Sequence, residues 1–221
     1  MFNGRKLSAL ATAIATPTLS RRQFVLGASL IGSALMVGCR MDADDADNGD
    51  APAAGAAVKP AAGSPFEAYI AIAADGFVTV YSSQFDMGQN SYHGLATLVA
   101  EELDVALDRV LVEGRAGNPK WYGNLAMGGA FQLTGGSSSM PSSWERYRKA
   151  GAAARELLKQ AAATQWKVEI GELTTANGDV VHADGRRAPY ASLIAAAAPL
   201  PVPSDVALKD AKAWTLIGKD E

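Results

Sequence analysis

Two short polar loops hold the residues best suited to chemistry. The first is Asp86-Met87-Gly88-Gln89-Asn90, between an apolar alternating stretch and a helical one. Gly88 lets backbone approach a ligand closely, and Gln89 offers one carbonyl acceptor and two amide donors. The second is Thr134-Gly135-Gly136-Ser137-Ser138-Ser139, ahead of a long helical stretch. Two glycines and a run of hydroxyls supply many short donors around a concavity, which suits phosphate or a polar heterocycle. The helix N-terminus behind the first loop adds free amides that favour an anion. Either loop alone is better read as ordinary turn chemistry, and the two together leave the readings even.

Other constellations are missing from the sequence. His93 and His182 are its two histidines, and neither has a metal-ligand partner at suitable spacing. His93, one turn into a helical stretch, suits a surface or capping role, and His182 suggests no function. There is no nucleophile elbow, Walker loop or dinucleotide fingerprint. The formal net charge is −3, with no basic run to follow a phosphate backbone, so nucleic acid is not an expected partner.

The elements that must position the loops form one α+β domain, β-hairpins packed with helices, over residues 64–221. Ile70 and Ile72 alternate before a turn at Asp75-Gly76 into Phe77–Tyr81, a β-hairpin. Leu95, Leu98, Val99 and Leu103 share a helical face, with Asn90 or Ser91 as N-cap, and Val110–Val112 is a short strand. Ser142 and Glu145 form a capping box for a long helix whose stripe is Trp144, Tyr147, Gly151, Ala154, Leu158 and Ala161. Gly151 and the alanines permit close approach of another element. Trp166, Val168 and Ile170 alternate as a strand, a hairpin turns at Asn177-Gly178, and Pro189 opens a short helix. Trp214–Gly218 resembles a strand at which the sequence is interrupted.

Residues 1–39 read as an export signal. Lys6, Arg21 and Arg22 precede the uncharged apolar run Phe24–Gly38, which is shorter than the about 20 residues of a membrane-spanning helix. Ser20–Leu26 (SRRQFVL) resembles the twin-arginine motif, which exports folded proteins, so the expected location is the periplasm. Cys39, the single cysteine, follows Met36-Val37-Gly38 as in a lipobox. Lipidation there would anchor the protein to a membrane; ordinary cleavage, or a buried thiol in an uncleaved anchor, is the alternative. Residues 40–63 form an acidic, then Ala/Pro/Gly-rich linker, carrying Asp42, Asp44, Asp45, Asp47 and Asp50.

Several spaced motifs together carry a resemblance: DMGQ (Asp86–Gln89), VAEELDV (Val99–Val105), TGGSSS (Thr134–Ser139), WxxxRxAGAAAR (Trp144–Arg155), AAATQW (Ala161–Trp166) and LIGK (Leu216–Lys219). From about Phe66 onward the chain resembles the molybdenum-binding large subunit of the xanthine dehydrogenase and aldehyde oxidase superfamily, in the branch of the isoquinoline 1-oxidoreductase β-subunit. The resemblance implies a molybdopterin dinucleotide with molybdenum. Gln89, after Gly88, would lie beside metal and pterin, and Thr134, Gly135, Gly136, Ser137 and Ser139 would contact the dinucleotide. It implies hydroxylation of aldehydes or nitrogen heterocycles with oxygen from water. The implied partners are the remainder of the large subunit as a second chain, and a 2Fe-2S small subunit or a cytochrome that removes electrons. Asn90 departs from the family's M-G-Q-G, although Asn tolerates a left-handed backbone well. The family continues for several times this length, and its glutamate base maps to no residue here. The expectation is the N-terminal part of an exported hydroxylase subunit, not catalytic alone; an exported binding or structural lipoprotein, or an inactive remnant without cofactor, is the alternative.

Overall fold

A computed structural model describes residues 69–219, together with the backbone of two short strands nearer the N-terminus. Those strands, β1 (Ser29–Ile31) and β2 (Ala34–Val37), pair with each other inside the apolar run read as the export segment. The paired arginines, Cys39 and the linker lie outside the described residues.

The hairpin expected at Asp75-Gly76 is present. β3 (Ile70–Ala73) and β4 (Val78–Ser82) pair antiparallel with Ile70 opposite Val80, and Gly76 takes the turn at φ 82°. β2 pairs antiparallel with the other edge of β3. After β4 the chain passes through the cleft loop into α1 (Ser91–Leu103) and returns as β5 (Val110–Gly114), parallel to β4 with Val80 opposite Val112. This β-α-β crossover went unseen in the sequence, because an apolar period reports which face is buried and not which neighbour a strand chooses.

A four-residue helix, α2 (Pro119–Tyr122), begins the long connection to α3 (Ser139–Trp166). α3 starts earlier than the expected capping box, with Ser138 at its N-cap and no side-chain cap bond. Pro141 in the first turn is tolerated because amides there have no intrahelical acceptor to lose. Glu145 instead pairs with Lys149 one turn on, at 2.6 Å. Tyr147, Gly151, Ala154, Leu158 and Ala161 of the predicted stripe are buried, while Trp144 is 37% exposed. At Gly151 the two long helices meet. A Cβ there would stand 2.9 Å from Glu102 Cβ and 3.3 Å from the Val99 carbonyl oxygen, so glycine sets the spacing.

The strand expected at Trp166–Ile170 does not form. α3 runs to Trp166, Lys167 caps it in a left-handed conformation, and a 3-10 turn occupies Ile170–Glu172. Glu169 and Glu172 make a reciprocal capping box there. The true strands come next: β6 (Leu173–Ala176), β7 (Asp179–His182) and β8 (Arg187–Pro189) form a separate antiparallel sheet. Its turn at Asn177-Gly178 has both residues at positive φ, as a two-residue hairpin of that composition requires. Pro189 then caps α4 (Tyr190–Ala197).

The expected terminal strand is likewise absent. Residues 207–217 lie as an irregular strap along α1 and α3, with one 3-10 turn at Ala211–Ala213, and Leu216 and Ile217 pack on the core. The architecture is α+β, with α1 and α3 crossing over the larger sheet and the smaller sheet beside the far end of α3.

Candidate functional site

The two loops singled out in the sequence meet, although 49 residues separate Phe85 from Thr134. The Phe85 amide donates to Thr134 Oγ1 at 2.9 Å, and that hydroxyl donates to Gln84 Oε1 at 3.1 Å. Gln132 Nε2 donates to the carbonyls of Ser83 (2.9 Å) and Arg115 (2.5 Å), fastening the second loop to the end of β4. Asn124, fully buried, donates to the Leu133 carbonyl and to Ser138 Oγ at 2.9 and 2.7 Å.

Between the loops opens a cleft of about 560 Å³ lined by Met87, Gln89, Asn90, Ser91, Gly94, Thr134, Gly135, Ser137, Ser139 and Met140. Gln89, Thr134, Gly135, Ser137 and Ser139 are thus brought together as the sequence suggested. Gly88 and Gly136 stand outside the lining, each setting the turn of its loop at positive φ, 95° and 60°. Sequence reasoning missed Met87, Ser91, Gly94 and Met140 as lining residues, and Gln84, Asn124 and Gln132 as braces. Neither bracing amides nor apolar wall residues carry a spacing signature.

The first turns of two helices open into this space, at Ser91 of α1 and at Ser139 and Met140 of α3. Each helix start presents amides without intrahelical partners and a partial positive charge. At α1 this field is already answered. Asp86 Oδ2 accepts the Tyr92 amide at 3.0 Å and Oδ1 the Gly88 amide at 2.8 Å, and these bonds hold its carboxyl below the usual carboxylate range. At α3 no carboxylate plays that part, and the cleft lining contains no charged side chain.

Backbone shape adds to the concavity. Gly135, Gly136 and Ser137 have φ of 153°, 60° and 54°, and Ser138 then turns right-handed, its amide donating to the Gly135 carbonyl at 3.1 Å. Asn90 sits at φ 64°, so the residue that departs from the family's glycine adopts the left-handed conformation the position demands.

The side chains divide by how much of their bonding is already used. Gln89 is folded into its own loop, with Oε1 accepting the Met87 amide (2.5 Å) and Nε2 donating to the Phe85 carbonyl (2.7 Å). Thr134 is a clamp between loops, and Ser138 Oγ donates to the Gly135 carbonyl at 2.6 Å. Ser137, exposed, and Ser139, half-buried, both line the cleft. His93 is exposed on α1, away from the cleft lining. Among the described residues no cluster of His, Cys, Asp or Glu is arranged to hold a metal ion, and no helix is long and apolar enough to cross a membrane.

The family model for the molybdopterin cofactor-binding domain matches residues 51–220. The chain belongs to this family. It is 35% identical over 81% of its length to the β subunit of isoquinoline 1-oxidoreductase from Brevundimonas diminuta, covering 22% of that protein. It is 29% identical over 69% of its length to a membrane-bound aldehyde dehydrogenase (pyrroloquinoline-quinone) from Gluconacetobacter polyoxogenes, covering 19% of it. It is 29% identical over 68% of its length to a nicotinate dehydrogenase subunit from Pseudomonas putida, covering 12% of it. The chain therefore spans about a fifth or less of the length of these relatives.

Donors here fit the family's cofactor. A pterin dinucleotide presents anionic phosphates and polar ring edges. This cleft offers neutral hydroxyls, left-handed glycine backbone and a helix start, without a carboxylate in its lining to repel it.

Proposed function

We propose that this domain forms one wall of a molybdopterin dinucleotide site in the large subunit of an exported molybdenum hydroxylase acting on aldehydes or nitrogen heterocycles. The observation that carries the reading is the convergence of the Asp86–Asn90 and Thr134–Ser139 loops with the N-terminal end of α3 on one cleft. In this reading Ser137, Ser139 and the backbone of Gly135 hold the dinucleotide. Gln89 shapes the loop that faces the metal, with Gly88 and Gly136 allowing the turns. When bound, the molybdenum centre supplies two-electron oxidation of a substrate carbon, with water as the oxygen source. In this reading none of the described residues takes the part of the general base, and turnover requires the complementing portion. The other wall and the base come from a further portion of the large subunit, and electrons leave through an iron–sulfur subunit or a cytochrome. Two relatives, the isoquinoline and nicotinate enzymes, are named as subunits, which supports a place in an assembly.

The test is co-expression of the chain with a candidate complementing chain in a host that makes molybdenum cofactor. Metal and pterin should be recovered in equal amounts with the complex. Ser137→Gly and Gly135→Val should lower that recovery, with the urea midpoint of Ser137→Gly unchanged because glycine keeps the positive φ of Ser137. Recovery of neither group, or recovery indifferent to both substitutions, would overturn the assignment.

The export reading rests on SRRQFVL and on Cys39 after Met36-Val37-Gly38. Replacing Arg21 and Arg22 by Lys should leave the precursor in the cytoplasm, and Cys39→Ser should abolish lipid labelling. Normal periplasmic yield of the first variant would refute the twin-arginine route, and unchanged membrane retention of the second would refute the anchor.

A further inference from the structure

Two of the motifs noted in the sequence, VAEELDV and LIGK, take no part in lining the cleft, and the structure joins them to each other. α1 carries neighbouring carboxylates, Glu101 and Glu102, both fully buried. Glu102 ties α1 to α3: it accepts Arg148 Nε at 2.8 Å and Arg155 Nη1 at 3.1 Å. Glu101 ties α1 to the strap, its Oε2 accepting the consecutive amides of Thr215 (2.9 Å), Leu216 (2.7 Å) and Ile217 (3.1 Å).

The strap closes the circuit by bonding to the same two arginines. Arg155 Nη2 donates to the Ala207 carbonyl at 3.0 Å and Arg148 Nη2 to the Lys209 carbonyl at 2.7 Å. Trp214 then meets Trp144 edge-to-face at 5.9 Å, with the Arg148 guanidinium over both rings. These anchors, Arg155, Arg148 and Trp144, step along α3 toward its N-terminal end. Trp144 lies one turn from Met140 in the cleft lining.

Two adjacent buried acids are an expensive way to pack a helix, since apolar side chains of similar volume would cost less desolvation. What ionic groups add is direction: each carboxylate fixes particular donors at particular places. We propose that Glu101 and Glu102 are positioning residues for the cleft. Through the strap they clamp the C-terminal end of α1 to α3 at Arg148 and Arg155 and, by way of Trp214, reach Trp144, so that the two helices and the loops at their N-terminal ends keep their separation. This concerns the geometry of the cleft and stands whatever ligand the cleft takes.

Amide hydrogen exchange on the full chain tests it. Glu101→Gln keeps the shape but removes the charge that gathers three amides. The amides of Thr215, Leu216 and Ile217 should then exchange at least about tenfold faster. The cleft-end amides of Gly94 and Ser142, bonded to the Asn90 and Ser138 carbonyls, should follow. Those of His182 and Gly185, at the end of the second sheet away from its contact with Asp104, should not change. Thr215→Pro makes the same test from the strap side by deleting one donor; Trp214 before it is already extended, as a residue preceding proline must be. Unchanged exchange at Leu216 and Ile217 would overturn the proposal. So would acceleration confined to the strap, or acceleration equally large at His182 and Gly185.

Discussion

The cleft and the α1–α3–strap junction lie on the same two helices, at opposite ends of α1, yet they treat polar groups in opposite ways. At the junction every carboxylate oxygen of Glu101 and Glu102 is met by a donor from another element, and both side chains are fully buried. At the cleft, Ser137 and Gly136 are exposed, the backbone runs left-handed, and the lining carries no charge. A polar group fully committed inside the protein has nothing left for a ligand, whereas a group held at the surface by its neighbours retains its capacity. The junction is built to be rigid, and the cleft is built on that rigidity.

Glu102→Ala should sharpen this contrast most. It takes the Glu102 carboxylate from the buried Arg148 and Arg155, the second keeping a longer 3.4 Å pair with Glu156. Breaking a buried pair in this way costs about 3–5 kcal/mol, which a urea titration followed by far-UV circular dichroism would read as a large fall in midpoint. A loss below about 1 kcal/mol would mean that the arginines find water or other acceptors, and the junction is then softer than its geometry implies.

A smaller effect is expected at the brace between the loops. Gln132→Ala removes the Nε2 donor from the carbonyls of Ser83 and Arg115, an expected loss of about 1–2 kcal/mol. Because Gln132 lies two residues before Thr134, exchange at the Phe85 amide should quicken with it. If stability falls while Phe85 remains protected, Thr134 holds the loops without help.

Much of this was legible in the sequence, and the failures share a cause. Asp75-Gly76 and Asn177-Gly178 mark their hairpins because only certain residues adopt positive φ cheaply. The stripe around Gly151 marks its helix because burial repeats at the helical period. Each loop alone reads as turn chemistry, and the two stand out because both precede helical stretches and the M-G-Q and T-G-G-S patterns give their family. The misplaced elements depend on partners distant in sequence. Trp166–Ile170 alternates like a strand, but the alanine-rich helix continues through Trp166 and the Glu169–Glu172 box captures the remainder. Leu216-Ile217 has the composition of a strand, but Glu101 gathers its amides first. Nothing near Leu216 in the chain announces a buried glutamate 115 residues away. The same holds for β5, whose parallel pairing with β4 depends on where α1 delivers it.

The smallest expected effect lies in the second sheet, at the end of its hairpin away from the Asn177-Gly178 turn that meets Asp104. His182 at the end of β7 has Nδ1 2.8 Å from Asp184 Oδ1 and Nε2 3.3 Å from Glu172 Oε2. The bond to Asp184 raises its pKa above the ordinary imidazole value, assisted by Glu172 and opposed by burial and by Arg186. The Arg186 amide and the bond from His182 in turn hold Asp184 down, to about 2. For a histidine whose folded pKa is raised, the stabilisation is complete below its unfolded value, about 6.5, and is lost as pH rises through the folded pKa. For Asp184 the sign is opposite: its contribution is present above the ordinary aspartate range and disappears as pH falls toward 2. The cluster therefore contributes most between about pH 4 and pH 6.5. Urea midpoints of the wild type and His182→Gln, taken from pH 5 to pH 8.5, should lie furthest apart at the acidic end and converge as pH rises. A gap that widens with pH would mean that His182 folds neutral, with Nδ1 accepting the Asp184 amide at 3.2 Å instead of donating to its carboxylate.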